Sequence, residues 1–98
     1  MPRIYRVHEH VRNISYIDPY FISTLFAIDE IKVGTVADVQ KASEKYTFPT
    51  PATTSRKLRY LAELGLVSEE RKGKRAQYRI TEKGRELAEI FRSALKIQ

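Results

Sequence analysis

The segment LGLVSEERKGKRAQYRIT, Leu64 to Thr81, contains the point at which the apolar pattern of the chain changes from helical to extended. Upstream of Gly65, leucines recur at every third position, which is the spacing of a buried helical stripe. Downstream, residues 66–71 and 75–81 have the composition of two strands, and Gly73 lies between them. The segment therefore predicts a helix that passes directly into a β-hairpin with a basic tip.

Capping signals predict three helices before this hairpin. Asp18 and Thr50 are predicted N-cap residues, and a proline follows each of them. Proline is favoured in the first turn of a helix, because the N–H that it lacks would have no helical partner there. Thr35 and Asp38 have the spacing of a capping box. The predicted organisation is a single domain over residues 1–98, with an N-terminal helix or arm over 1–17, a three-helix core over 18–65 whose last helix spans 51–64, the hairpin over 66–81, and a C-terminal helix over 82–98.

The composition is that of a folded domain. Of the 98 residues, 42% are hydrophobic and 31% are charged, so there is enough apolar surface for one modest core. No run approaches the ~20 apolar residues of a membrane span, and the N terminus lacks the apolar centre of a signal peptide. The absence of cysteine excludes disulfides and thiolate chemistry. We therefore expect a cytoplasmic protein with no membrane contact.

The positive charge is confined to the half of the chain that contains the hairpin. Residues 1–48 hold six basic and six acidic groups, whereas residues 49–98 hold twelve basic and six acidic groups and carry the whole net charge of +6. Such asymmetry indicates an anionic partner, such as nucleic acid or a membrane surface.

The order of the predicted elements narrows the choice of partner. Two short helices with a tight connection, followed at once by a hairpin, give an α+β, mostly helical arrangement of the winged helix-turn-helix type, with extra N-terminal and C-terminal helices. A DNA major groove about 12 Å wide admits one helix, and a basic hairpin beside it reaches neighbouring phosphates or the minor groove. Double-stranded DNA is therefore the expected partner.

The stretch TPATTSRKLRYLAELGLVSEERKGKRAQYRITEKGRELAE, Thr50 to Glu89, resembles the recognition helix, wing and following helix of the MarR and PadR families of winged-helix transcriptional regulators. Three parts carry the resemblance: the capped TPATTSR start, the L-x-x-L-G-L-V exit from helix to strand, and Y-R-I-T-E-K-G after the wing. The whole stretch covers about two fifths of the chain.

In those families the first two turns of the recognition helix offer short polar residues and an arginine to the DNA. The matching positions here are Thr53, Ser55 and Arg56, with Lys57 and Arg59 nearby. The leucine stripe independently leaves most of these positions outward. Arg56 is expected to contact a base, because arginine binds guanine O6 and N7 bidentately. The alternative is that all five are ordinary surface residues of an exposed helix.

The hairpin tip is predicted to bind the DNA backbone. Arg71, Lys72, Lys74 and Arg75 would neutralise phosphates and release condensed counterions, which makes binding steeply dependent on salt. The acidic residues of the hairpin stay off its tip. The alternative is a solvated turn whose charges only keep it soluble.

Both terminal segments carry apolar stripes with the spacing of helix–helix seams. The family resemblance implies that the terminal helices form a homodimer, whose two-fold symmetry suits palindromic DNA sites. The alternative is that both stripes pack on their own domain. The predicted interface residues are Ile4, Val7, Val11, Leu87, Ile90, Phe91 and Ala94.

No catalytic or cofactor-binding pattern is found in the sequence. His8 and His10 are two positions apart, so on a helix they point to different faces and predict no metal site. There is no glycine-rich phosphate loop and no recognisable nucleophile, base and acid grouping. We therefore expect neither an enzyme nor a cofactor.

The leading hypothesis is a sequence-specific regulator of transcription that binds double-stranded DNA. One rival is a winged-helix protein-interaction module of the transcription machinery, whose basic wing contacts an acidic partner. Another is an architectural DNA-binding protein without sequence preference. Selection of bound sequences separates the leading hypothesis from both.

Overall fold

The computed structural model describes residues 17–95, so the predicted N-terminal helix or arm lies outside the described residues except for Ile17. In chain order the elements are α1 (Pro19–Ile31), β1 (Val33–Gly34), α2 (Val36–Ser43), α3 (Pro51–Glu63), β2 (Val67–Lys72), β3 (Arg75–Ile80) and α4 (Glu82–Leu95). This order confirms the predicted α+β, mostly helical class.

The predicted helix starts are confirmed atom by atom. Asp18 Oδ1 accepts from Phe21 N at 2.8 Å at the start of α1, and Thr50 Oγ1 accepts from Thr53 N at 3.1 Å at the start of α3. At α2, Thr35 Oγ1 accepts from the backbone N–H of Asp38, whose carboxylate accepts from Thr35 N in return. Each such cap stabilises a helix by about 1 kcal/mol, so local chemistry fixes where these helices begin.

Helix α1 forms the centre of the core. Its side chains Phe21, Leu25 and Ile28 are fully buried, and the helix contacts α2, α3 and α4. Burial of each large apolar side chain contributes about 1.5–3 kcal/mol. The prediction that this most apolar helix is the core centre is confirmed.

The sheet contains a third strand that the sequence pattern did not predict. The strands are ordered β1-β3-β2, all antiparallel, and β1 pairs Val33 with Arg79 and Gly34 with Tyr78. A two-residue strand is too short to show an alternating pattern, which is why KVGT looked like a simple break between helices. By joining α1 and α2 to the hairpin, β1 fixes the hairpin beside the helical core.

The start of α4 is fastened to the chain just after α3. Thr81 Oγ1 donates to the carbonyl oxygen of Gly65 at 2.8 Å and accepts from Gly84 N at 3.1 Å. Thr81 N donates to the Leu66 carbonyl oxygen at 3.1 Å, and Lys83 Nζ donates to the carbonyl oxygen just before Gly65 at 3.1 Å. Thr81 and Lys83 thus bind the three consecutive carbonyl groups of residues 64–66, which follow the last residue of α3.

The far half of α4 is held against α1 by a charged pair. Arg92 Nη1 lies 2.6 Å from Asp29 Oδ2, and the Asp29 side chain is only 11% exposed. The Arg92 guanidinium also lies 4.8 Å from the centre of the Phe26 ring, which adds a cation–π contact. Both ends of α4 are therefore fixed to the domain.

One residue of the predicted dimer interface lies elsewhere. Leu87 is fully buried in the core of its own domain, so its assignment to a subunit interface was wrong. Ile90 and Phe91 are half-buried and Ala94 is exposed. The apolar stripe on α4 therefore faces the core at Leu87 and approaches the surface from Ile90 onward.

Candidate nucleic-acid interface

Helix α3 presents a cationic face because three buried side chains fix its rotation. Thr54, Leu58 and Leu61 are fully buried against the core. Arg56 consequently lies on the exposed part of the helix surface, as the leucine stripe predicted, and Arg59 is exposed as well. Within the described residues Arg56 has no carboxylate partner, so its guanidinium can bind a ligand without first breaking an ion pair.

A groove runs between α3 and the beginning of α1. It has a volume of about 460 Å³, and its wall on α3 includes Thr53, Arg56 and Tyr60. Tyr60 is held by an edge-on contact with Phe21, with ring centres 5.9 Å apart and planes at 64°. The groove therefore places the Tyr60 ring, which Phe21 holds in position, beside Arg56, which has no carboxylate partner among the described residues.

Lys57 makes a contact within the domain that the sequence did not predict. Its Nζ lies 2.9 Å from Asp18 Oδ2, and the two side chains are only 13% and 19% exposed. The other oxygen of Asp18 caps α1, so one carboxylate joins the start of α1 to the middle of α3. Its ammonium group is thus already bound and largely covered, and in this arrangement Lys57 positions α3. A direct contact between Lys57 and DNA stays a prediction.

Cations from α3 and from the hairpin lie around one buried tyrosine. Burial, and then the negative charge of Glu69, raise the pKa of Tyr78 above its ordinary value, while Arg59 and Arg71 act in the opposite direction. Arg71 also lies 3.8 Å from Glu69 in a loose ion pair. Arg59 of α3 and Arg71 of the hairpin thus both contribute positive charge in the surroundings of this phenol.

The hairpin tip holds two like charges directly opposite each other. Lys72 and Arg75 are partners in the strand register, and the two-residue turn between them contains Gly73 with φ +65° and Lys74. A positive φ at the first turn residue is the requirement of a type II′ turn, which favours glycine there. Because like charges opposite each other destabilise a hairpin, the tip is electrostatically unfavourable until an anion approaches.

The hairpin cations face two directions. Side chains alternate along a strand, so Lys72 and Arg75 lie on one face of the hairpin and Arg71 lies on the other, with Tyr78. Arg75 borders a small groove at the start of α2, lined by Thr35 and the residues that follow it. All four predicted tip cations are exposed.

Asp38 is the acidic group beside this groove. Hydrogen bonds from Thr35, with a smaller electrostatic contribution from Arg75, hold the pKa of Asp38 below its ordinary value. Its carboxylate accepts from Thr35 N at 3.0 Å within the capping box of α2. The anion at this helix start therefore belongs to the protein itself.

No protein-family model matches the chain, and no curated protein matches it. Among solved structures, it is similar to BpsR from Bordetella bronchiseptica, whose DNA binding is regulated by 6-hydroxynicotinic acid, with a TM-score of 0.67 over 97% of this chain and 82% of BpsR at 18% identity.

Two further similar structures are described as members of the MarR family. One is the transcriptional regulator SPO1453 from Silicibacter pomeroyi, with a TM-score of 0.63 at 20% identity, and the other is a protein from Bacillus stearothermophilus, with 0.61 at 22% identity. The matches cover 96% and 97% of this chain but 65% of each of those chains. The fold is a winged helix-turn-helix. The resemblance in fold to MarR-family regulators is thus confirmed. Helix α3 and the β2–β3 hairpin occupy the positions that are called the recognition helix and the wing in this fold, and these names are used below for their positions.

The structure adds three surface residues that the sequence reasoning missed. Arg79 is exposed and shares its face of the wing with Lys72 and Arg75. Tyr20 lines the groove beside Arg56, and Phe48 is an exposed aromatic residue just before the recognition helix. Strand alternation could have identified Arg79, whereas Tyr20 and Phe48 become informative only once the helices are packed.

Other kinds of site find little support in the described residues. Between residues 17 and 95, no group of three or more histidine, cysteine or acidic side chains could hold a metal ion. His8 and His10 lie outside that range. No helix in the same range is long and apolar enough to cross a membrane. Helix α3 and the wing carry the exposed cations described above, and α3 also lines the groove, so together they form the candidate nucleic-acid interface.

Proposed function

We propose that this chain is a cytoplasmic transcriptional regulator that recognises a specific double-stranded DNA sequence, with α3 in the major groove and the wing on the backbone or in the minor groove. The observation that carries the proposal is the opposed pair Lys72 and Arg75, held in register beside a helix that exposes Arg56 and Arg59. Phosphates would relieve the repulsion at the wing tip.

The two parts of this surface would do different work. Arg56 is the candidate base-reading residue, and its exposed position on the second turn of a helix whose rotation is fixed by buried neighbours supports this role. Thr53 and Ser55 are half-buried hydroxyl residues beside it. The wing cations would supply affinity and orientation, since phosphate contacts carry no sequence information directly.

A homodimer is part of the proposal because an apolar surface lies where the described chain begins and ends. Ile17, Tyr46 and Leu95 are 39%, 42% and 56% exposed and line one groove together with Phe26. The later turns of α4 reach the surface next to it. A second copy would cover this surface and present two recognition helices related by two-fold symmetry. Sedimentation at micromolar concentration should then give twice the mass of the chain.

The decisive experiment is selection of bound duplexes from random DNA at physiological salt. A site-specific dimer should enrich a palindrome whose half-sites are separated by about 10 base pairs or a multiple of that spacing. Binding to all duplexes alike would instead favour an architectural protein. A lack of enrichment with binding abolished by moderate salt would overturn the proposal in favour of a protein-interaction module.

A further inference from the structure

Phe48 is the most exposed large apolar side chain in the described part of the chain. It is 91% exposed, whereas the other exposed large hydrophobic residues range from 37% to 56%. It lies in the connection between α2 and α3 and makes no part of the core. Burial of an aromatic ring normally stabilises a protein or a complex, so a ring that is exposed to water is a candidate contact for an apolar group of a partner.

The backbone on both sides of Phe48 is fixed. Thr47 Oγ1 lies 2.9 Å from Ser23 Oγ of α1, and the Thr47 N–H donates to a carbonyl group at the end of α2 at 3.1 Å. Pro49 is buried, and its carbonyl oxygen accepts from Gln40 Nε2 at 3.1 Å. A residue before proline is also restricted to extended conformations. The ring is therefore displayed from a constrained backbone.

The position of Phe48 connects it with the recognition helix. It lies two residues before the cap Thr50, so its Cα is within about 8 Å of the start of α3 by chain geometry. From Thr47 to Ala62 the chain has no acidic residue and three basic ones. Two of these basic residues, Arg56 and Arg59, are exposed, which suits an anionic partner that also offers an apolar group.

DNA has one such group in the major groove. The edges of the base pairs there are polar except for the C5 methyl of thymine, which apolar side chains contact. We infer that Phe48 contacts a thymine methyl group at the margin of each half-site and selects thymine there. The inference rests on the proposed function, because it requires α3 to enter the major groove.

The test uses the full chain and the duplex obtained by selection. Each thymine is replaced singly by deoxyuridine, which removes only the methyl group, and affinities are measured for the wild type and for Phe48→Ala. The wild type should lose about threefold to fourfold in affinity at one position per half-site, the value of one buried methyl group. Phe48→Ala should bind thymine and deoxyuridine equally at that position, and Phe48→Leu should keep part of the difference.

A second substitution isolates the methyl group from the base pair. With cytosine at the same position, conversion to 5-methylcytosine should strengthen binding by the wild type and leave binding by Phe48→Ala unchanged. Leu95→Ala is the control, because it removes another exposed apolar side chain, 56% exposed, at the far end of α4. It should keep the wild-type ratio between thymine and deoxyuridine whatever its overall affinity.

The outcomes separate this inference from the proposed function. A selected palindrome with no methyl effect, or with the same effect in Phe48→Ala, overturns the inference alone. An unchanged methyl profile with altered sedimentation of Phe48→Ala would assign the ring to a protein contact and also overturns it. If no duplex is bound with sequence preference, both the inference and the proposed function fail.

Discussion

Gly84 of α4 lies so close to Leu66 that a Cβ atom added at Gly84 would stand 2.1 Å from the Leu66 carbonyl oxygen. The same atom would be 2.7 Å from Ile80 Cδ1. Since a backbone carbonyl cannot rotate away as a flexible side chain can, any larger residue forces α4 off the end of the recognition helix. The glycine is therefore required by packing, even though glycine is a poor helix former.

Gly84→Ala should accordingly destabilise the domain, by about 1–3 kcal/mol in the free energy of unfolding, despite the better helix propensity of alanine. Urea denaturation followed by circular dichroism measures the change. Arg85→Ala is the matched control at an exposed position of the same turn, and it should stay within about 0.5 kcal/mol of the wild type. A Gly84→Ala variant as stable as the control would contradict the close approach.

The Lys57–Asp18 pair should behave as a structural contact. Lys57→Met keeps the apolar stem but leaves the Asp18 carboxylate short of a partner, so stability should fall by about 1 kcal/mol. Asp18→Ala removes the α1 cap as well and should cost more. A double-mutant cycle by urea denaturation measures the coupling between the two residues. Additive effects would argue against the pair.

DNA binding gives a second readout for Lys57. If it is not a phosphate contact, Lys57→Met should leave unchanged the slope of log affinity against log salt. Lys74→Ala, in the exposed wing turn, should reduce that slope by about 1 and weaken cognate and random duplexes alike. If Lys57→Met changed the salt dependence of affinity as much as Lys74→Ala, Lys57 would be a phosphate contact.

The opposed cations of the wing predict a conflict between stability and function. Lys72→Gln removes one of two like charges that face each other across the strands, so the free energy of unfolding should rise by about 0.2–1 kcal/mol. The same change should lower DNA affinity. Lys41→Gln, at an exposed position of α2, is the control and should change neither property much. Loss of stability in Lys72→Gln would show that the tip does not suffer from repulsion.

Arg56→Ala tests base reading by the recognition helix. It should cost about 1–3 kcal/mol on the selected duplex and far less on random duplexes of equal length. Fluorescence anisotropy titrations on both duplexes provide the comparison. Equal losses on the two would reduce Arg56 to a phosphate contact.

The capping box of α2 should make stability depend on pH in the acid range. Hydrogen bonds from Thr35 hold the pKa of Asp38 below its ordinary value of about 3.9, so the ionised form is favoured by folding. The stabilisation is complete above that ordinary value and disappears as the pH falls through the lower pKa of the folded state. The difference in unfolding free energy between wild type and Asp38→Ala should therefore be constant near neutrality and shrink below about pH 4. A difference that grows toward low pH would have the wrong sign.

Much of the fold could be predicted because its signals are local. A cap followed by proline fixes the start of α1 and of α3 within a few residues, and the change of period at Gly65 separates helix from hairpin. The strand β1 escaped prediction because two residues show no period; it exists only through pairing with Arg79 and Tyr78. Tertiary pairing, not local preference, creates it.

The candidate site was less predictable because charge alone does not reveal what a side chain already binds. Lys57 and Arg56 are adjacent in the sequence and alike in charge, yet Lys57 is taken up by Asp18, from a distant part of the chain. Leu87 belonged to a plausible surface stripe until packing enclosed it. These outcomes depend on partners far away in sequence, which a periodic pattern cannot contain.

The hydrogen bonds from Thr81 and Lys83 to the carbonyl groups of residues 64–66 connect the end of α3 mechanically to α4. They join the end of α3 to the N-terminal end of α4, whose fourteen residues extend about 21 Å. Because Arg92 also binds Asp29 of α1, a displacement imposed at the Leu95 end of α4 would be passed to α1 and to the end of α3 together. In the proposed homodimer, a displacement of α4 would therefore change the distance between the two copies of α3.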